Sequence, residues 1–187
     1  MLSYNKALEL FRGWTQSESL TRHAYAVEAA MGFYARKFGE DEILWRITGL
    51  LHDMDYEKHP SLDEHPFVGV GVLKELGYPE EIRTAILGHT EHSGVSRESL
   101  LARTLYAVDE LAGFITAVAY VRPTRLEGMK KKSVKKKLKD RAFAAAVSRH
   151  DIALGAEELG VDIDEHIENV IAGMLADATR LGFDTSE

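Results

Sequence analysis

Apolar residues recur at three- and four-residue spacing along almost the whole chain, and no segment sustains an apolar–polar alternation rich in β-branched residues. A period near 3.6 residues puts such positions on one stripe of a helix, whereas a half-buried strand needs a period of about two. The pattern predicts an all-α fold. With 187 residues and no internal repeat, the chain is long enough to bury a real core within one domain. The expectation is a single-domain helical bundle over residues 1–187, with a core over about 20–121 and a helical extension over about 122–187.

Helix signals subdivide the chain. Asn5 to Gly13 forms a short amphipathic segment, with Ala7, Leu8, Leu10 and Phe11 facing inward. Ser17 or Ser19 caps a helix carrying Leu20, Ala24, Val27, Ala30, Phe33 and Phe38, which stops at Gly39. A third helix is expected over Asp41 to His52, followed by a polar rim from Glu57 to His65 beside Pro60 and Pro66. Phe67 to Leu76 and Pro79 to about His89 read as two more. A long helix from about Glu98 to Val121 places Leu101, Leu105, Val108, Ala112 and Ile115 inward, and Pro123 ends it. The spacing of Val134, Leu138, Ala142 and Ala145 extends an amphipathic pattern through the lysine-rich stretch. His150-Asp151 reads as a helix start, and a last helix begins near Asp162 with Glu165 as its capping-box partner. His166 is expected on its polar face.

Composition removes several chemistries. There are no cysteines, so disulfides, thiolate metal sites and thiol nucleophiles are excluded. No apolar run approaches the roughly 18 residues of a membrane span, and no signal-peptide pattern opens the chain, so a cytoplasmic location is the default. The net charge of −7 argues against nucleic-acid binding, which needs phosphate neutralisation by Lys and Arg. A homodimer stays open.

One stretch concentrates chemistry. In Gly49-Leu50-Leu51-His52-Asp53-Met54-Asp55-Tyr56 an apolar helical segment runs straight into a histidine and a carboxylate. Unpaired charge at the edge of a core costs several kcal/mol, so both side chains want a partner, and a divalent cation satisfies both. His23 and Asp109 border the apolar stripes of their own helices; His65 and His89 lie in turns or at helix ends. One ion could take His23, His52, Asp53 and Asp109. If Asp53 bridges, His65 and His89 could hold a second. Imidazole and carboxylate donors without thiolate suit Fe, Mn, Co, Ni or Zn. Such ions lower the pKa of a shared water and neutralise phosphoryl oxygens, which makes His52 and Asp53 the catalytic centre and a protein nucleophile unnecessary.

The order His23, His52-Asp53, Asp109 resembles the HD superfamily of metal-dependent phosphohydrolases. With His65 and His89 added, it is similar to the six-ligand dinuclear branch, which includes HD-GYP phosphodiesterases and HD-type dinucleoside tetraphosphate hydrolases. The resemblance covers about Leu20 to Leu111. It implies hydrolysis of a phosphate ester or anhydride of a nucleotide or other small phosphorylated metabolite, with one or two divalent ions as cofactor. The chain departs from HD-GYP in two respects: Thr90-Glu91-His92 stands where adjacent histidines are expected, and Gly77-Tyr78-Pro79 precedes His89. The superfamily also contains di-iron oxygenases with the same ligand order, and a non-catalytic nucleotide sensor is a third reading. Glu91 and His92 are candidates for an extra ligand or substrate contact. His59 is expected to face solvent. Lys130 to Lys139 holds seven lysines, mainly a solvated face; Arg122, Lys135, Lys136 and Lys137 are candidates for phosphate binding.

Overall fold

Five side chains fix where helices begin. Ser17, Asp41, Ser99, Ser148 and Asp162 each accept a backbone N–H from the first turn that follows. A computed structural model describes residues 2–183, and among them the secondary structure is entirely helical. The helices are α1 (Tyr4–Trp14), α2 (Glu18–Phe38), α3 (Glu42–Leu51), α4 (Phe67–Glu75), α5 (Glu80–Gly88), α6 (Leu100–Tyr120), α7 (Lys131–Leu138), α8 (Arg149–Leu159) and α9 (Ile163–Ala176), with a 3-10 turn at Glu91–Ser93. None is long and apolar enough to cross a membrane.

Helix α2 is the spine. From Ala24 to Gly32 every residue is buried, because α3, α6 and α9 pack around it. A helix enclosed this way is largely apolar and uses small residues, here four alanines and a glycine, with Glu28 as its one buried acid in this stretch. Helix α6 lies alongside and packs α8 on its other flank. The inward stripe expected for α6, from Leu101 to Ile115, is buried throughout. Where α8 crosses α6, a Cβ on Gly155 would stand 2.6 Å from the Ala107 Cα, so only glycine permits the approach. Gly155→Ala must separate the two helices and should cost about 1–3 kcal/mol of stability in chemical denaturation.

Two expectations fail here. The helical pattern does not continue through Ala142 and Ala145; both are exposed, in turns between α7 and α8. Arg149 holds that segment irregular by donating to the carbonyls of Asp140, Phe143, Ala144 and Val147. His166 is not on a polar face but fully buried. Its Nε2 donates to the Ala107 carbonyl at 2.8 Å and its Nδ1 accepts from the Tyr34 hydroxyl at 2.6 Å. Burial lowers its pKa, so it stays neutral and joins α2, α6 and α9 through hydrogen bonds.

Candidate metal centre

Five parts of the chain put the six candidate residues in one place. His23 comes from α2, and His52 and Asp53 close α3. His65 comes from the turn before α4, His89 ends α5, and Asp109 lies within α6. Asp53 is the hub. Its Oδ1 is 3.3 Å from His65 Nε2 and 3.2 Å from His89 Nε2; its Oδ2 is 3.3 Å from His52 Nε2 and 3.8 Å from His23 Nε2. Asp109 Oδ1 lies 2.9 Å from His23 Nε2 and 3.5 Å from His52 Nε2. His23, His52 and Asp109 have ligand atoms within 4.8 Å of one another, as do His52, Asp53 and His89.

The opposite ring nitrogens explain why these rings point inward. His52 Nδ1 meets the Gly49 carbonyl at 2.8 Å, and His89 Nδ1 meets the Ile86 carbonyl. His65 Nδ1 meets Asp55 Oδ1 at 2.7 Å. Carbonyls and carboxylates only accept, so Nδ1 carries a proton in all three rings and Nε2 is the atom turned toward the carboxylates. At these distances Nε2 and a carboxylate oxygen repel unless a proton or a cation lies between them. His52 Nε2 is buried without a hydrogen-bond partner. The arrangement fits one or two divalent cations.

The electrostatics agree. Burial works against a charged His52, yet the Asp53 and Asp109 carboxylates hold its pKa well above the ordinary imidazole value. Burial pushes Asp53 and Asp109 up, but His52 with His89 pulls Asp53 well below the usual carboxylate range, and His52 with His23 does the same to Asp109. Anionic oxygens clustered this way draw positive charge from whatever source is present.

Asp55 was not among the sequence candidates. It is buried, it orients His65, and its Oδ2 accepts the Gly69 N–H at 2.6 Å. A Cβ on Gly69 would stand 3.0 Å from the Asp55 carboxyl carbon, so glycine lets α4 come this close. The sequence offered only a second acid two residues after Asp53. Asp55→Ala should weaken binding of an ion at His65 and His89 by about 10–100-fold, read by metal titration, with the ion at His23 and Asp109 less affected.

The cluster opens into a cavity of about 530 Å³ whose wall includes Tyr56, Leu62, Thr90, Tyr106, Glu110, and Asp151. Glu91 and His92 also line it. Glu91 pairs with Arg97 at 3.0 Å, and His92 Nε2 donates to the His65 carbonyl at 2.7 Å, so both buttress the rim. Glu110 is pushed up to about 7 by burial and by the neighbouring Asp109 charge. Burial, then Asp151 and Glu91, raise Tyr106 above the ordinary phenol value.

The candidate phosphate-binding cations lie elsewhere. Lys135 pairs with Asp164 of α9 at 2.5 Å, Lys137 lies over the Phe143 ring, and Lys136 is exposed on α7. Arg122 is engaged by Ser133, Thr124 and the carbonyls of Arg125 and Glu127. None of the four lines the cavity. His59 is half-buried rather than solvent-facing, since its Nδ1 lies 2.9 Å from Glu64 and its ring lies beside Trp14.

A family model, the HD domain, matches residues 20–113, half of the chain, and spans five of the six clustered residues in α2 to α5 together with Asp109. The chain belongs to the HD domain family. Members of this family hold divalent metals, and the His–Asp cluster is where this chain can do so. It is similar to ribonuclease Y of Oleidesulfovibrio alaskensis, 32% identical over 98 residues, which cover 52% of this chain and 18% of that protein. Ribonuclease Y of Acholeplasma laidlawii is 31% identical over 99 residues, covering 51% and 18%. An uncharacterised protein of Methanocaldococcus jannaschii is 29% identical over 115 residues, covering 59% and 66%. The chain thus spans under a fifth of the length of the ribonuclease Y relatives. No solved structure matches significantly.

Proposed function

We propose that this HD domain is a metal-dependent phosphohydrolase that cleaves a phosphate ester or anhydride of a nucleotide or other small phosphorylated metabolite. The observation carrying the proposal is the inward convergence of four Nε2 atoms on Asp53 and Asp109, with three of the rings locked from behind. His23, His52, Asp53 and Asp109 would hold one ion; Asp53, His65 and His89 would hold a second. Bound divalent ions supply Lewis acidity toward phosphoryl oxygens and lower the pKa of a water.

The chain's residues do the rest by position. Gly49, Ile86 and Asp55 keep the imidazoles in one tautomer and orientation, so the donor set is formed before substrate arrives. The acidic, lysine-free cavity supports a small substrate over a polynucleotide, whose affinity rests on neutralising many phosphates.

A screen of phosphorylated metabolites and an RNA oligomer with the manganese-loaded protein tests the reading. It expects phosphate release or diester cleavage from a small compound. Oxygen consumption by the iron-loaded protein with no turnover of any phosphate compound would replace it with an oxygenase, and nucleotide binding with no turnover would replace it with a sensor.

A further inference from the structure

The cavity is unusual for one meant to receive an anion. No lysine or arginine lines it, and besides Asp53 and Asp109 it carries Glu91, Glu110 and Asp151. In the neighbouring basic cavity, which shares Val147, the Arg149 guanidinium is engaged by backbone carbonyls. The phosphoryl end of a substrate therefore has only bound cations to meet. The charged groups beyond that end are carboxylates, which accept.

Acidic side chains alone do not make a subsite, but two hydroxyls add a separate observation. Tyr106 is 4% exposed, and its Oη has no hydrogen-bond partner of ordinary geometry; the Asp151 carboxylate is close enough to interact with it as a strained acceptor, and burial and that carboxylate raise its pKa. Thr90 Oγ1 is likewise buried without a partner, and both residues line the cavity. A buried hydroxyl left unsatisfied is costly, so a group that completes it gains on binding. Spacing on α6 explains the placement: Tyr106, Asp109, Glu110 and Gly113 follow at three- and four-residue steps and share the face toward the cavity. Asp151 reaches the same wall from the first turn of α8. Glu91 is taken by Arg97, and Glu110 accepts the Ser148 N–H through Oε2, which holds its carboxyl in place. Leu62, Ala146 and Val147 supply apolar surface between these polar groups.

We propose that Tyr106, Glu110 and Asp151 form a specificity wall that recognises the phosphate-free end of the substrate by its hydrogen-bond donors, either sugar hydroxyls or an amino group. The proposal rests on the phosphohydrolase reading for its phosphate, but not for its wall. Asp151 and Glu110 accept from the donors, and Tyr106 gains a hydrogen bond of ordinary geometry. A tail carrying a further negative charge is repelled.

The test compares phosphate monoesters that differ only in the tail: phenyl phosphate, glycerol phosphate, aminoethyl phosphate and adenosine 5′-phosphate. With the manganese-loaded wild type, at least one donor-bearing tail should exceed phenyl phosphate in kcat/KM by about tenfold. Glycerol and aminoethyl tails separate hydroxyl from amine recognition. That preference should collapse in Tyr106→Phe and Asp151→Asn. Tyr106→Phe keeps the ring stacked on Arg97 and removes only the hydroxyl. Phenyl phosphate turned over as well as the others, or a preference unchanged in both variants, overturns the wall. If no monoester is turned over, equilibrium dialysis of adenosine decides. Retention by wild type and its loss in Tyr106→Phe keeps the wall while the monoesterase reading fails; no retention, or equal retention, rejects the wall.

Discussion

Asp53→Ala should abolish metal retention and turnover together. Both oxygens of this carboxylate are committed: Oδ1 faces His65 and His89, and Oδ2 faces His52 and His23. Removing it takes a donor from either candidate ion and the bridge between them. Four Nε2 lone pairs would then share one acid, Asp109, with His52 buried and unable to reach water. The protein should still fold, because removing the anion also relieves crowding among the acids. Metal analysis after dialysis and a turnover assay read the two losses. A loss of turnover with both ions retained would mean that Asp53 serves chemistry alone.

Glu28→Ala should be strongly destabilising, although it lies away from the cluster. Glu28 is fully buried on α2, and its Oε1 accepts from Arg46, Arg180 and the Tyr4 hydroxyl. One carboxylate thereby ties α1, α3 and the segment after α9 to the central helix. Removing one partner of a buried ion pair costs about 3–5 kcal/mol; here Arg180 loses its carboxylate, while Arg46 keeps Asp177 at 2.7 Å. Arg46 and Arg180 are 22% and 28% exposed and recover some hydration, which places the cost near the lower bound, about 3 kcal/mol. For a chain of this size that is a fall of about 6–12 °C in Tm. Glu28→Gln, which retains an acceptor of the same shape, should fall less. Equal melting of both variants and wild type would show that the cluster contributes nothing.

The fold was legible because every helix announces itself by spacing and most by a capping residue. Of the two serines offered for α2, Ser17 is the cap, and Asp162 caps α9 where the last helix was expected to begin. The six clustered residues were legible by type and order: an acid or imidazole at the edge of an apolar stripe is rare enough to stand out. What stayed hidden depends on partners far along the chain. His166 looks like a polar-face residue until Ala107 and Tyr34 close around it. Asp55 orients His65, and direction is not written in residue type. Periodicity also overran at Ala142 and Ala145, where Arg149 draws the backbone out of helical geometry. The lysine run was read mainly as a solvated face; its pairing with Asp164 and Glu168 of α9 required knowing how α7 docks. Asp151 is instructive in a different way. It does start a helix, as expected of His150-Asp151, and that helix carries it onto the cavity wall.

Anomalous scattering from crystals of the manganese-loaded protein would locate the ions. A peak should lie enclosed by His23, His52, Asp53 and Asp109, with a second peak, where two ions bind, between Asp53, His65 and His89. No peak at the cluster in metal-saturated crystals, or strong peaks only at other acidic side chains, would contradict that placement.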